Sequence, residues 1–259
     1  MREIAVIKVG GNIIDNEAKL AAFLEDFAAL PGNKILVHGG GKIATETGDK
    51  LGIQSNYVNG RRITDKETLD VVTMVYGGLV NKKIVAQLQQ LGCNAIGLTG
   101  ADGNIISAVK RPVGAVDYGY VGDVTGVNVS LINTLADAGF TLVMAPLTHS
   151  EGVMLNTNAD TIAQQTAKAL AETARVQLVY CFEKKGVLMD ADNEDEVINT
   201  IDKISYEELK ANNIVSGGML PKLDNAFEAI DAGVSKVIIG QAEALVELLN
   251  GNAGTQIIK

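Results

Sequence analysis

Short apolar runs and helically spaced apolar residues take turns along this chain. The run Ile4 to Val9 ends in Gly10-Gly11, and Ile35 to His38 ends in Gly39-Gly40-Gly41. Between them, Glu17 to Leu30 places Leu20, Phe23, Leu24 and Phe27 at helical spacing. A second helix is predicted from about Ile43 to Leu51. This strand–helix–strand–helix order predicts parallel strands with glycine turns at their carboxyl ends. Ligands of open α/β sheets gather at that edge.

Further on, Gln54 to Ile63 reads as extended and turn-rich. Thr64 to Leu91 is helix-forming but interrupted by Gly77-Gly78, which predicts two helices or one kinked helix. Ala95 to Leu98 is a predicted strand. Gly103 to Asp123, with Ile105-Ile106 and Tyr118 to Val121, predicts a hairpin or small antiparallel excursion. A helix from Val129 to Ala138 precedes a strand from Thr141 to Ala145, closed by Pro146. In the second half, Ala159 to Leu170 carries Ile162, Ala163, Thr166 and Leu170 on one face. Val176 to Phe182 is a strand, followed by helices from Ser205 to Asn212 and from Pro221 to Ala232, the latter beginning with proline. Lys236 to Ile239 and Gln256 to Ile258 supply the last strands.

With 259 residues, 28 glycines and only 4 prolines, the pattern is that of an α/β chain long enough for one large domain or two unequal lobes. No low-complexity linker separates the halves. The formal net charge of −9 argues against a nucleic-acid partner, which needs a basic face, but not against a nucleotide, which needs only a few local cations. Cys93 and Cys181 are too few and too scattered for a disulfide framework or a zinc site. The strand-like N-terminus lacks the regions of a signal peptide, and no apolar run approaches a membrane span, so a cytoplasmic location is expected.

The two glycine clusters are the strongest pointer to chemistry. Bare backbone N–H groups at a helix N-terminus hold phosphate without sequence-specific contacts. Neither cluster is a nucleotide-binding P-loop: Gly39-Gly40-Gly41-Lys42-Ile43 lacks the upstream glycine and the magnesium-binding hydroxyl. No G-x-G-x-x-G follows the first strand, and His38 and His149 are the only histidines, which excludes a histidine-rich metal site. Lys8, alone, would be a solvated strand-end lysine; beside Gly10-Gly11 it suits a phosphate. Lys222 falls in the first turn of a helix, where a cation opposes the dipole and a bound phosphate would reverse that penalty. Asn158 is a helix-cap candidate and Asp160 complements the dipole, but capping does not account for Asn156 as well. Arg61-Arg62 follows a turn, and the planar arginine fork suits a small carboxylate substrate.

Taken together, these segments resemble the amino-acid kinase family, specifically its branch acting on N-acylated glutamate. The matching pieces are Lys8-Val9-Gly10-Gly11, Val37-His38-Gly39-Gly40-Gly41, Asn59-Gly60-Arg61-Arg62-Ile63-Thr64, Asn156-Thr157-Asn158-Ala159-Asp160 and Gly217-Gly218-Met219-Leu220-Pro221-Lys222, in family order and over nearly the whole chain. The resemblance implies a three-layer αβα sandwich around an open, mostly parallel sheet of about eight strands. It implies one domain over 1–259, with an N-lobe of roughly 1–170 for the acyl amino acid and a C-lobe of roughly 171–259 for ATP. The implied reaction is ATP-dependent phosphorylation of the side-chain carboxylate of N-acetyl-L-glutamate, in arginine biosynthesis. N-succinyl-L-glutamate is a rival substrate, and a non-catalytic amino-acid or nucleotide sensor is a rival function.

Carried over residue by residue, Lys8 and Lys222 match the lysines that neutralise the transferring phosphoryl group, and Asp160 the carboxylate that positions them. Gly39, Gly40, Gly41, Arg62, Asn156 and Asn158 match substrate-holding groups, with Arg62 on the α-carboxylate. Gly10, Gly11, Glu183, Lys184, Gly186, Gly217 and Gly218 match phosphate and nucleotide contacts. Mg²⁺ is expected on the nucleotide phosphates, with no protein metal ligand. A γ-carboxylate with a reference pKa of about 4.3 is already an ionised nucleophile, so positioning and charge neutralisation must supply most of the acceleration. Closure of the Gly39–Gly41 loop or of the Gly103–Asp123 hairpin over substrate is expected, to protect the acyl phosphate. The chain departs from the family at Phe182-Glu183-Lys184, where Glu183 replaces an aspartate. The lack of an extension before Arg2 leads to the expectation of an arginine-insensitive homodimer.

Overall fold

The computed structural model describes residues 2–58, 60–190, 193–215 and 219–259. In chain order the first strands are β1 (Glu3–Val9), β2 (Asn33–His38), β3 (Asn56–Val58), β4 (Arg61–Ile63), β5 (Ala95–Leu98), β6 (Ile106–Lys110) and β7 (Gly122–Val127). They are followed by β8 (Thr141–Met144), β9 (Leu147–Ser150), β10 (Val153–Asn156), β11 (Arg175–Phe182), β12 (Thr200–Ile201), β13 (Lys236–Gln241) and β14 (Thr255–Ile257). The helices are α1 (Gly11–Ile14), α2 (Glu17–Ala29), α3 (Gly41–Lys50), α4 (Lys66–Val72), α5 (Asn81–Gln90), α6 (Val129–Asp137), α7 (Ala159–Ala171), α8 (Lys203–Ala211), α9 (Met219–Asp231) and α10 (Leu245–Asn250). Among the described residues, no helix is long and apolar enough to cross a membrane.

Two compact units emerge: Met1–Lys34 with Ala163–Lys259, and Ile35–Ile162. This differs from a single boundary near residue 170. The first 34 residues join the C-terminal part because β1 pairs in parallel with β11, with Lys8 in register with Tyr180 and Val9 with Cys181. In the first unit the strand order is β12-β14-β13-β11-β1, and in the second β2-β8-β5. These eight strands run mostly parallel to their neighbours, with β14 antiparallel to β13. The fold class expected from the glycine-ended strands is therefore the one observed.

In the first unit, Leu20, Phe23, Leu24 and Phe27 of α2 are buried, as their spacing predicts. Asn16 caps that helix by accepting a 3.0 Å bond from the Lys19 amide. α8 opens on a reciprocal capping box between Asp202 and Ser205, which satisfies two backbone donors that would otherwise lack partners. Proline does not begin α9: Pro221 is its third residue, still within the first turn, where a missing N–H costs no intrahelical bond.

In the second unit, Lys66 to Gln90 runs on without a break, but through a π-helical stretch at Thr73–Val80 joining α4 to α5. Gly77-Gly78 thus falls inside a widened turn rather than at a kink. Such stretches re-aim side chains and recur at functional sites. The predicted excursion is real but larger, a four-stranded sheet in the order β10-β9-β6-β7, and its second strand starts at Gly122 instead of Tyr118. The β9–β10 hairpin, β12 and α10 carry no clear sequence pattern and were not anticipated.

Gly119 ties this excursion to the rest of the unit. It adopts φ +73°, and a Cβ there would overlap the Thr64 carbonyl oxygen, which itself accepts a 2.7 Å bond from the Tyr120 amide. A Gly119→Ala substitution combines left-handed strain with backbone overlap, so we expect a loss of roughly 2–4 kcal/mol. The melting temperature should fall by roughly 5–10 °C. A thermal melt within about 2 °C of the parent would contradict this.

Candidate active site

A cavity of about 250 Å³ opens in the second unit, lined by Gly40, Tyr57, Arg62, Tyr76, Arg111 and Asn156 among others, with no acidic side chain in its wall among the described residues. Arg62 is only 8% exposed. It donates from Nη1 to Ser55 Oγ, and from Nη2 to the Gly41 carbonyl at 2.8 Å and to Thr45 Oγ1 at 2.9 Å. The Tyr57 ring, in register with it across the β3–β4 hairpin, covers the guanidinium at 4.8 Å. All of these partners are neutral. A buried guanidinium with no carboxylate is costly unless an anion joins it. Of the predicted pair, Arg62 is the inward residue and Arg61 the exposed one.

The Gly39–Gly41 turn, at the carboxyl end of β2, spends all three of its carbonyls inside the protein. His38 Nδ1 lies 2.7 Å from the Gly39 oxygen. The Ala44 amide donates to Gly40 at 3.0 Å. Thr45 Oγ1 joins Arg62 on Gly41, at 3.0 Å. Gly40 itself sits at φ +146° with Tyr76 behind it, where a Cβ would lie 3.2 Å from the ring. The N–H groups are thereby what this turn has left to offer, and α3 begins at Gly41.

Asn156 and Asn158 divide as their positions suggest. Asn158 Oδ1 accepts from the Asp160 amide at 2.7 Å and the Thr161 amide at 3.3 Å, so it caps α7. Only its Nδ2 is left for a ligand. Asn156, at the end of β10, donates from Nδ2 to Thr64 Oγ1 at 3.0 Å and borders the cavity. Asp160 is half-buried in the first turn of α7.

The first unit gathers a second group of predicted residues. Gly10 follows β1, donates its N–H to the Cys181 carbonyl at 3.0 Å and opens the short α1 at Gly11. A Cβ built on Gly10 would lie 3.8 Å from Lys8 Nζ, so the Lys8 ammonium stands over this turn. Lys222 Nζ lies 5.0 Å from the centre of the Tyr180 ring, in the residue whose backbone is in register with Lys8. Burial pushes the Cys181 thiol up to about 12, and the charges of Lys8 and Lys222 both act against that rise. Two lysines far apart in sequence thus share one neighbourhood. Glu183 accepts from Asn12 Nδ2, tying the turn after β11 to α1. Lys184 pairs with Glu194 at 2.9 Å, and Gly186 packs closely against Thr255 and Val197. Gly217 and Gly218 lie outside the described residues.

Sequence reasoning gave no role to His38, Asn81, Tyr76 or Arg111. His38 is fully buried and Asn81 nearly so. Asn81 Nδ2 donates to His38 Nε2 at 3.1 Å and to the Val143 carbonyl at 3.0 Å. Nε2 is therefore an acceptor, and Nδ1–H donates to Gly39. Arg111 lines the cavity, stacks over Tyr118 at 5.6 Å and pairs with Asp123, its Nε lying 3.0 Å from Oδ1. The one available signal was His38 itself, a polar residue ending an apolar strand.

Burial lowers the His38 pKa to about 4, with the Lys82 charge acting in the same direction and the Gly39 carbonyl opposing. The unfolded chain takes up this proton first, so the contribution is complete above pH 6.5 and is lost as pH falls from 6.5 towards 4. The loss amounts to about 3 kcal/mol. In paired denaturation curves, the parent should lose stability over that window relative to His38→Asn, which cannot titrate; parallel pH profiles would contradict this.

Comparison with known proteins finds relatives over the whole chain. Two relatives named acetylglutamate kinase are 59% identical to this chain: that of Cytophaga hutchinsonii, over 100% of this chain and 99% of its own length, and that of Bacteroides thetaiotaomicron, over 100% of both. The crystal structure of smu.665 from Streptococcus mutans UA159 superposes with a TM-score of 0.80 at 28% identity, covering 98% of each chain. The model of the amino acid kinase family matches residues 3–241. This chain belongs to the amino acid kinase family.

Proposed function

We propose that this protein is an acetylglutamate kinase, transferring the γ-phosphoryl group of ATP to the side-chain carboxylate of N-acetyl-L-glutamate, in arginine biosynthesis. The observation that carries this reading is the acid-free cavity holding a buried arginine whose partners are all neutral. Such a site calls for a carboxylate ligand. The two full-length relatives of that name support the reading.

In this reading Arg62 takes the α-carboxylate, while Asn156 and the free Nδ2 of Asn158 hold the acyl amide. Lys8 and Lys222 neutralise the charge on the moving phosphoryl group, and Asp160 is the carboxylate assigned to orient them. Amides of Gly10, Gly11 and the Gly39–Gly41 turn donate to phosphoryl oxygens. Glu183, Lys184, Gly186, Gly217 and Gly218 are assigned to the nucleotide. Mg²⁺, held by the ATP phosphates, would supply charge neutralisation there when bound. The substrate carboxylate is already ionised, so this chain need move no proton. A cytoplasmic homodimer completes the proposal.

A second reading changes only the acyl group. Arg111 lines the same cavity, and its bonds to Asp123 use Nε and Nη2, leaving Nη1 for a further carboxylate. N-succinyl-L-glutamate carries such a group. The ratio of kcat/KM for the acetyl and succinyl compounds decides between them.

Three outcomes are expected in an ADP-release assay with Mg²⁺ and ATP. Wild-type protein turns over at least one N-acylglutamate; no turnover with either compound rejects the function. Lys222→Ala loses kcat by roughly 100–1,000-fold with little change in either KM, since its charge acts on the transition state. Arg62→Lys keeps the charge but loses the fork, raising KM for the acylglutamate by roughly 100-fold while leaving KM for ATP alone. An unchanged acylglutamate KM would remove Arg62 from the substrate.

A further inference from the structure

Resting on the phosphoryl-transfer function proposed above, we infer that His38 is a positioning residue: by holding the Gly39 carbonyl inward it turns the Gly40 N–H outward, as a donor to the reacting anion. The peptide bond between Gly39 and Gly40 is trans, like every other described peptide. In a planar trans peptide the C=O and the following N–H point in opposite directions. His38 lies entirely inside the protein and grips the Gly39 oxygen at 2.7 Å. The Gly40 N–H consequently faces away from the interior, and it has no acceptor among the described residues. Gly40 also lines the acid-free cavity.

The alternative orientation is close at hand, because glycine rotates without a Cβ to resist it. Flipping the Gly39–Gly40 peptide would bury the N–H and aim a carbonyl oxygen at the anion, exchanging attraction for repulsion. The molecule is built to prevent that. Nε2 of His38 accepts from Asn81, which fixes the tautomer that keeps a hydrogen on Nδ1. Asn81 is fixed in turn: its Nδ2 also donates to Val143 O, and its Oδ1 accepts from Lys82 Nζ at 3.0 Å. Lys82 donates to the Gly97 carbonyl at 2.8 Å as well. A Cβ on Gly97 would overlap Asn81 Oδ1, so β5 itself leaves room for this chain of bonds. Asn81 reaches His38 from the end of the π-helical stretch, whose Tyr76 backs Gly40.

The test separates the two ring nitrogens. An asparagine amide reaches the place of Nδ1, and a glutamine amide reaches the place of Nε2. His38→Asn keeps a donor for Gly39 and should hold kcat within about five-fold of wild type. His38→Gln keeps a partner for Asn81 but leaves Gly39 unheld, and should lose kcat by about 100-fold at nearly constant KM for both substrates, the scale expected for one misdirected donor. A purely structural role would instead lower the melting temperature of both variants and leave their kcat values alike; equal kcat overturns the proposal. Independently of variant folding, the Gly40 amide proton of the wild-type protein should move downfield on saturation with MgADP, aluminium fluoride and N-acetylglutamate. An unmoved Gly40 resonance also overturns it. Absence of wild-type turnover would count against the kinase function itself, whereas normal turnover with matched variants counts only against His38.

Discussion

A guanidinium withdrawn from water, with no carboxylate beside it among the described residues, governs the second unit. Burying Arg62 costs several kcal/mol that neutral oxygens return only in part. The unit answers with Ser55, Thr45 and the Gly41 carbonyl at its edge and the Tyr57 ring over its face. Those contacts hold the ion in place without cancelling its charge, and they have a structural by-product. Because Arg62 engages Gly41 and His38 engages Gly39, the carbonyls of the glycine turn are drawn inward. One arrangement therefore both concentrates positive potential in the cavity and leaves amide donors for an anion.

The first unit solves a related problem with different groups. Lys8 rises from a strand end over the Gly10 turn, and Lys222 reaches the same neighbourhood across the face of Tyr180. An aromatic face attracts an ammonium group, so the Tyr180 ring helps fix where the Lys222 charge lies. In a chain of formal charge −9, such local concentrations of positive charge matter more than the total. Phosphoryl transfer to an ionised carboxylate asks for little else from side chains and needs no general base, which suits a chain with two histidines, one of them buried and neutral.

Much of this was legible in the residues. Glycine pairs and triplets after apolar runs located both turns, since few other residues tolerate such backbone geometry or permit such close approach. Helical spacing located the buried face of α2, and Asn158 was recognised as a cap. The resemblance already singled out Arg62 over Arg61, and the fold adds the reason: alternation across a three-residue strand decides which of two neighbours turns inward. Gly77-Gly78 suggested a break, yet the chain continued through a wider turn, since packing beneath Leu147 and Thr99 favours glycine without requiring the helix to end. The β9–β10 hairpin escaped notice because its strands are short and β9 runs through three consecutive polar residues, Thr148, His149 and Ser150, with no alternation.

Sequence alone determined the alternation of strands and helices, the two glycine turns at strand ends, and the identities of the lysines, the arginine and the amides that flank them. These are local matters, set by periodicity and by backbone freedom over a few residues. Only tertiary structure decided that residues 1–34 join the C-terminal unit, that Lys222 comes over the ring of Tyr180, the strand neighbour of Lys8, and that His38 reads its own neighbour's carbonyl with Asn81 behind it. Each of those depends on strand register or on a side chain crossing tens of residues of intervening chain. No local propensity encodes such distances; they follow from which surfaces the whole chain can bury at once.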